Sequence, residues 1–302
     1  MPSQHRIALH RIPELDCHLP ETAAYVRGVL SGLHCRVFSP WESAVCAYFD
    51  YGQPETVAFR SDMDALPICE TTGLPFASQH PGKMHACGHD GHMAIVLALA
   101  EYLSRVKMRQ ARNVLLIFEP AEETTGGAKH ICETRILEEY HVTRIYGLHL
   151  WPELEKGVVA ARPGGQMARS CELTAEIEGR SAHVARWQEG RDALAAGLHF
   201  VADAYALAEG KTCVLRFGRM ESGSARNAVS DRTRLEGTLR CFDEALFAEL
   251  WQRLEALARR VGEETGCAVR LTRSEGYPPV TNDPALLTEA KTRFPIAEAA
   301  PS

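Results

Sequence analysis

The densest group of chemically reactive side chains lies between His85 and His92, where five of eight residues can bind a metal or exchange a proton. Cys87 and His89 stand two positions apart within it. Because side chains at i and i+2 point the same way on an extended segment, a thiolate and an imidazole at this spacing can share one metal ion. The stretch therefore predicts a metal site. The alternative is a glycine-rich helix start with a buried cysteine and polar capping groups.

Two adjacent carboxylates, Glu122 and Glu123, follow an apolar run at residues 113–118. In open α/β sheets, ligands bind outside the carboxyl ends of the strands. At such a place one carboxylate can ligate a cation while the other accepts a proton from a metal-activated water. The alternative is an exposed acidic loop, which is usual for neighbouring glutamates.

His149 lies at the end of another apolar run, and alone it would more often be a satisfied core residue than a ligand. Asp62 and Asp64 follow an earlier strand-like run and can orient a ligating histidine, although a simple turn would explain them as well. Thiolate, imidazole and carboxylate are transition-metal ligands. The residues that together supply them are Cys87, His89, Glu123 and His149.

The elements that must position these residues alternate between strands and helices in the first half of the chain, which argues for an α/β layer. Short strand-like runs at 45–51 and 56–60 flank the turn-like Gly52-Gln53-Pro54, which predicts a hairpin or two adjacent strands. The other predicted elements are a helix at 91–106, a strand at 113–118, a helix at 127–139 and a strand at 144–150.

The pattern changes after Pro163-Gly164-Gly165. The order strand, helix, strand, strand, helix, strand then resembles a ferredoxin-like α+β unit. Its predicted elements are 171–177, 192–208, 212–219, 233–242, 247–262 and 268–272. The helix at 247–262 has apolar residues at three- and four-residue steps, as an amphipathic helix requires.

Composition excludes several partners. The 302 residues include 33 basic and 39 acidic side chains, a net charge of −6, and the lack of a basic run disfavours nucleic acid. No stretch approaches the ~20 apolar residues of a membrane span, and the N-terminal residues lack the apolar segment of a secretory signal. Ten scattered cysteines without a Cys-x-x-Cys pair favour a reduced, cytoplasmic protein.

Several stretches resemble the metallopeptidase family that includes the aminoacylases and the dizinc carboxypeptidases. Within that family the chain is most similar to the amidohydrolase branch of hippurate hydrolases, N-acetyl-diaminopimelate deacetylases and auxin-conjugate hydrolases. The most specific stretch is Cys87-Gly88-His89-Asp90-Gly91-His92. The others are 9–15, 59–67, 119–123, 147–149, 179–183, 227–231 and 236–240.

The resemblance implies an α/β fold: a metallopeptidase-type catalytic domain, with a mixed sheet flanked by helices, and an inserted ferredoxin-like α+β dimerisation or lid domain. The expected division is catalytic domain 1–167, inserted domain 168–278 and return to the catalytic domain 279–302. It implies hydrolysis of the amide bond of N-acyl amino acids or similar small conjugates.

The resemblance also implies roles for single residues. Glu122 would be the general base beside two divalent ions, manganese or zinc with cobalt or nickel as alternatives. Their ligands would be Cys87, His89, Glu123 and His149. His183 would reach the partner's active site in a homodimer formed through residues 168–278 and stabilise the oxyanion. Asn227 and Arg240 would bind the substrate's carboxylate and polar groups. The alternatives are that His183 only caps a loop, that Asn227 only shapes a turn and that Arg240 is a solvated strand residue.

The family pattern ends with a further segment that carries one more metal-binding histidine, whereas the last histidine here is His199. The expectation is therefore a catalytic domain that lacks its C-terminal part. Three interpretations follow: a truncated form of an active amidohydrolase, a chain that works with a depleted site, or an inactive homologue acting as an oligomerisation or binding module. A further alternative makes Cys87 a nucleophile with His89 as its base.

Overall fold

The computed structural model describes residues 2–106, 110–124 and 126–300. The chain divides into two compact units, Met1–Leu154 and Glu155–Ser302, whose residues lie close in space mainly to residues of the same unit. Each unit is built on a β-sheet of its own.

The described part of the first unit has a five-stranded sheet in the order β1-β2-β4-β3-β5. Its strands are β1 (Arg36–Phe38), β2 (Val45–Phe49), β3 (Thr56–Asp62), β4 (Asn113–Glu119) and β5 (Val142–Gly147). β2 is antiparallel to β1 and β4, whereas β3 is parallel to β4 and β5, so the sheet is mixed as predicted. The prediction that β2 and β3 are neighbours was wrong. All seven residues of β4 are buried, and this apolar strand takes the place between them.

The helices of the first unit flank this sheet. They are α1 (Pro2–His10), α2 (Pro20–Ser31), α3 (His89–Arg105), α4 (Gly127–Glu133) and α5 (Ile136–Glu139). The continuous helix predicted for 127–139 is wrong. Arg135 has a φ of 62°, and this left-handed residue separates α4 from α5.

Alternate residues of β4 point into two separate cores, because side chains of a strand face opposite sides of a sheet. Val114, Leu116 and Phe118 pack into the core that includes buried residues of α1, α2 and α3. Leu115 and Ile117 pack on the other side with residues of α4 and α5. Helices therefore cover both faces of the central strand.

The carboxyl ends of the three parallel strands lie at one edge of the sheet. Asp62 at the end of β3 pairs in register with Glu119 at the end of β4, and Arg60 pairs with Gly147 at the end of β5. The segments that leave these strands therefore begin close together. β5 ends at Gly147, so His149 lies in the segment after the strand and not within it, as the predicted run 144–150 had it.

The second unit contains the predicted ferredoxin-like arrangement. Its antiparallel sheet has the order β11-β8-β10-β9. The elements, in chain order, are β8 (Arg169–Glu178), α6 (Ala193–Ala208), β9 (Cys213–Ser222), β10 (Arg232–Cys241), α7 (Glu244–Thr265) and β11 (Ala268–Arg273). α6 and α7 pack on one face of this sheet and enclose its apolar core.

Helix α7 shows how the sequence sets an element of this unit. Its apolar stripe, which includes Phe247, Leu254 and Val261, is buried as predicted. The helix begins at Glu244 because the Asp243 side chain accepts a hydrogen bond from the amide of Leu246, 2.8 Å away.

Two short two-stranded sheets pair the segment before the ferredoxin-like elements with the segment after them. β6 (Ala160–Ala161) pairs with β13 (Ala297–Glu298), and β7 (Gly164–Met167) pairs with β12 (Val280–Asn282). Helix α8 (Pro284–Lys291) lies between β12 and β13. The division into domains at 167/168 and 278/279 stays a prediction. Among the described residues, no helix combines the length and apolar character that a bilayer span requires.

Candidate metal centre

Helix α3 begins directly at His89, and Gly88 stands at its N-cap with a φ of 91°. Glycine adopts this left-handed conformation without the steric cost that a Cβ atom brings. The predicted extended geometry of Cys87 and His89 is therefore wrong, because Gly88 turns the chain into the helix between them. The two side chains nevertheless converge. The ligand-type atoms of Cys87, His89 and His149 lie within 4.8 Å of one another.

The imidazole of His89 is oriented by the end of β3. Its Nδ1 lies 2.8 Å from the backbone carbonyl oxygen of Asp64. A carbonyl oxygen only accepts, so Nδ1 is the donor and Nε2 is the nitrogen that faces the other candidate ligands. That Nε2 lies 3.7 Å from Oε1 of Glu123. Asp64 thus contacts the ring of His89 through its backbone oxygen, whereas the sequence pointed to its carboxylate, and its role beside a bound metal stays a prediction.

The imidazole of His149 is oriented in the same way. Its Nδ1 donates to the backbone carbonyl of Leu150, 2.7 Å away, and its Nε2 lies 3.5 Å from Sγ of Cys87. Contact with His149, and next with His89, lowers the pKa of the Cys87 thiol. Thiolate is the form in which cysteine binds a metal.

A tight turn after β4 carries the two glutamates. Ala121 adopts a φ of 61°, a left-handed conformation that is costly for a residue with a side chain. The following amides of Glu122 and Glu123 donate to the two carboxylate oxygens of Asp64, at 3.0 Å each. Burial first, and then the negative charge of Glu123, raises the pKa of Glu122 to about 7. Asp64 therefore fixes both glutamates as well as His89.

The donor set fits divalent ions. His89 belongs to each of the three groups of metal-binding side chains in the described part of the chain. These groups are Cys87, His89 and His149; His89, Glu122 and Glu123; and Asp62, His89 and His92. Oε1 of Glu123 is buried and has no hydrogen-bond partner among the described residues. Two ligands of one tetrahedral ion lie roughly 3.3–3.7 Å apart, close to the Cys87–His149 and His89–Glu123 distances.

The third of these groups is a hydrogen-bonded assembly, because both nitrogens of His92 are already engaged. Nδ1 lies 2.6 Å from Oδ1 of Asp62, and Nε2 accepts from the amide of Leu150 at 2.9 Å. Asp62 also accepts from Arg60, 2.7 Å away. Hydrogen bonding to His92 and the charge of Arg60 overcome the effect of burial and hold the pKa of Asp62 below its usual range.

In the second unit, the structure brings His183 and Asn227 together. The amide of Val184 donates to the backbone carbonyl of Asn227, and His183 forms an isolated bridge with Ala228. Nδ1 of His183 accepts from the amide of Ala185 at 3.2 Å, which leaves its other ring nitrogen as the donor. Both side chains are exposed.

Arg240 does not join these two residues within the unit. It lies near one end of β10, opposite Ser170, whereas His183 and Asn227 belong to the loops beyond the other end, where Arg232 faces Glu178. These two positions of β10 are eight residues apart, which corresponds to about 26 Å. Asn227 and Arg240 therefore lie apart within one protomer, and their assignment to substrate binding stays a prediction.

Sequence reasoning missed the part played by His92. The signal for it was present, since positions three apart on a helix share a face and His92 follows His89 at that spacing. The segment with Leu150 gave no such signal. Its backbone contacts depend on a fold that brings residues nearly sixty positions apart together.

Residues 58–294 match the model of peptidase family M20/M25/M40. This match covers most of the chain, and the chain belongs to that family of metal-dependent hydrolases.

Two curated relatives are similar over nearly the whole chain. One is named N-acetyldiaminopimelate deacetylase of Listeria monocytogenes serotype 4b and is 36% identical over 298 residues, covering 96% of this chain and 79% of the relative. A protein of the same name from Streptococcus pneumoniae is 34% identical over 302 residues, covering 96% of this chain and 80% of the relative.

Two solved structures share the fold over the full chain. A candidate aminohydrolase from methicillin-resistant Staphylococcus aureus has a TM-score of 0.92 and 31% identity, and 83% of that chain is covered. A dinuclear metal-binding peptidase of family M20 from Bacillus subtilis has a TM-score of 0.84 and 28% identity, with 82% of that chain covered. These likenesses agree with the α/β class predicted from sequence.

Proposed function

We propose that the chain is an amidohydrolase that cleaves the amide bond of N-acyl amino acids, with N-acetylated diaminopimelate as the first candidate substrate. The observation that carries the proposal is the convergence of a thiolate, two imidazoles and a carboxylate beside Glu122 at the carboxyl ends of parallel strands. The names of the relatives from Listeria and Streptococcus support the choice of an acetylated amino acid.

Cys87, His89, Glu123 and His149 are the residues proposed to hold two divalent ions. The name of the Bacillus subtilis relative supports a dinuclear centre. Manganese and zinc are the first candidates, with cobalt and nickel as alternatives, because a mixed sulfur, nitrogen and oxygen set accepts several metals. When bound, such ions supply Lewis-acid polarisation of a carbonyl and of water.

The remaining chemistry belongs to the side chains. We assign Glu122 as the general base: its carboxylate takes a proton from the attacking water and then passes it to the leaving amine. Asp64 holds the backbone amide of Glu122 and so fixes where this carboxylate starts. Backbone carbonyls accept from Nδ1 of His89 and of His149, so Nε2 is the nitrogen through which each imidazole would hold a metal.

We further propose that the ferredoxin-like elements mediate a homodimer and that His183 of one protomer stabilises the developing oxyanion in the other. Asn227, which the structure places beside His183, would bind a polar group of the substrate. Arg240 lies toward the other end of β10 in the same protomer, and we propose that its guanidinium binds the carboxylate of the substrate.

The proposed function is tested by hydrolysis assays with the purified chain. N-acetyl-diaminopimelate, a set of N-acetyl amino acids and hippurate are incubated with it in the presence of manganese, zinc, cobalt or nickel. Metal-dependent release of the free amine supports the proposal. A chain that binds metal and releases no amine from any of them contradicts it.

A further inference from the structure

We infer that Asp62 and His92 form a positioning pair that fixes the metal ligand His149 through the backbone of Leu150. This inference rests on the metal centre proposed above. His92 would act as a positioning residue, since both of its ring nitrogens are engaged by other groups and neither is available to a metal.

Both ring nitrogens of His92 are held by hydrogen bonds. The side chains of Asp62 and His92 are almost completely buried. The amide of Leu150 can only donate, so Nε2 of His92 is the acceptor and Nδ1 carries the proton that Asp62 accepts. Arg60 binds the other carboxylate oxygen of Asp62, which holds that carboxylate in place.

Both backbone polar groups of Leu150 form hydrogen bonds to histidine side chains. Its amide donates to His92 at 2.9 Å, and its carbonyl accepts from Nδ1 of His149 at 2.7 Å. The ring of His149 also packs edge-on against that of His92, with centroids 4.6 Å apart. The carbonyl of Leu150 thus sets the orientation of the His149 ring and the nitrogen that donates, and His92 in turn holds Leu150 through its amide.

The segment that carries His149 and Leu150 lies outside the helices and strands of the unit. Residues 148–151 follow the end of β5, have no regular secondary structure and are exposed. The side chain of Leu150 lies against the start of α3, where a Cβ atom at Gly91 would be 2.5 Å from Leu150 Cδ1. Among the described residues, the hydrogen bond from its amide to His92 joins the Leu150 backbone to the buried part of the unit.

Two substitutions separate the two hydrogen bonds of His92. His92→Asn keeps a donor near the position of Nδ1, facing Asp62, and loses the acceptor for Leu150. His92→Gln reaches the position of Nε2 and keeps that acceptor. His34→Asn, at an exposed histidine of the same unit, is the matched control.

The readouts are the dissociation constant for zinc, measured by competition with a chromophoric chelator, and the visible spectrum of the cobalt-loaded protein. We expect His92→Asn to weaken zinc binding about 10–100-fold and to change the cobalt spectrum. His92→Gln should recover most of the affinity, and His34→Asn should bind like wild type. Wild-type affinity and spectrum in His92→Asn would overturn the inference, as would an equal loss in the Asn and Gln variants.

A second pair of variants decides the matter if His92→Asn does not fold, as judged by circular dichroism. Leu150→Ala keeps the backbone amide and Leu150→Pro removes it, while both remove the leucine side chain. We expect the proline variant to bind zinc more weakly than the alanine variant, and equal binding would overturn the inference. Absence of metal binding by the wild-type chain would instead refute the proposed metal centre itself.

Discussion

Asp64 and His89 are joined by a hydrogen bond from the imidazole Nδ1 of His89 to the backbone carbonyl of Asp64, 2.8 Å away. The carboxylate of the same aspartate accepts the amides of Glu122 and Glu123. Asp64, a single residue in the segment that follows β3, therefore orients both the start of α3 and the turn after β4. This relationship explains how segments far apart in the chain present their side chains to one centre.

Replacing Asp64 by Asn should destabilise the metal-free protein. An amide offers one acceptor oxygen where the carboxylate offers two, so one partly buried backbone N–H of Glu122 or Glu123 loses its partner. The expected loss in free energy of unfolding is about 1–3 kcal/mol, measured by urea denaturation in the presence of a chelator. Asp50→Asn, at an exposed aspartate, is the control. Equal stability of Asp64→Asn and wild type would show that the two hydrogen bonds do not matter.

Replacing Glu122 by Gln should remove the base and leave the metal in place. We expect kcat to fall about 10²–10⁴-fold, because the amide cannot accept the proton of the attacking water. Metal content, measured by elemental analysis, should match that of wild type. The exposed Glu133 provides the control Glu133→Gln. An unchanged kcat would reject Glu122 as the base.

Metal should protect Cys87 from alkylation. A thiolate that ligates an ion is a poor nucleophile, so the rate of iodoacetamide modification at Cys87 should fall when zinc is added, as followed by peptide mass spectrometry. Cys69, which is exposed and lies outside the metal-binding groups, serves as the internal control. A metal-free activity that alkylation of Cys87 abolishes would support the alternative in which Cys87 is the nucleophile.

Replacing His183 by Ala should lower kcat with little change in metal content, because the residue is assigned to the oxyanion and not to the metal. His199→Ala, at another exposed histidine of the second unit, is the comparison. Analytical ultracentrifugation checks that the variant keeps the oligomeric state of wild type. A wild-type kcat for His183→Ala would remove this residue from the mechanism.

The sequence predicted the features that depend on local pattern. The buried strand β4 and the amphipathic helix α7 are where their apolar residues place them. The expectation that Glu122 and Glu123 follow the carboxyl end of a strand is also confirmed. These features could be predicted because the spacing of apolar residues and the ends of strands depend on residues that are neighbours in the sequence.

The features that were wrong or missed depend on contacts between distant residues. β4 is buried along its whole length and lies between β2 and β3, and the turn between β2 and β3 carries no signal of that distant strand. The hydrogen bond between His92 and Leu150 has no local pattern at Leu150. The homodimer stays a prediction.

The central claim is that Cys87, His89, Glu123 and His149 hold divalent ions, and the most direct test compares the metal content of two proteins. Wild type and His89→Ala are loaded with zinc, dialysed and measured by inductively coupled plasma mass spectrometry. Because His89 belongs to each group of metal-binding residues in the described chain, we expect about two ions per wild-type chain and fewer than one in the variant. Equal metal content in the two proteins, or none in wild type, would contradict the claim.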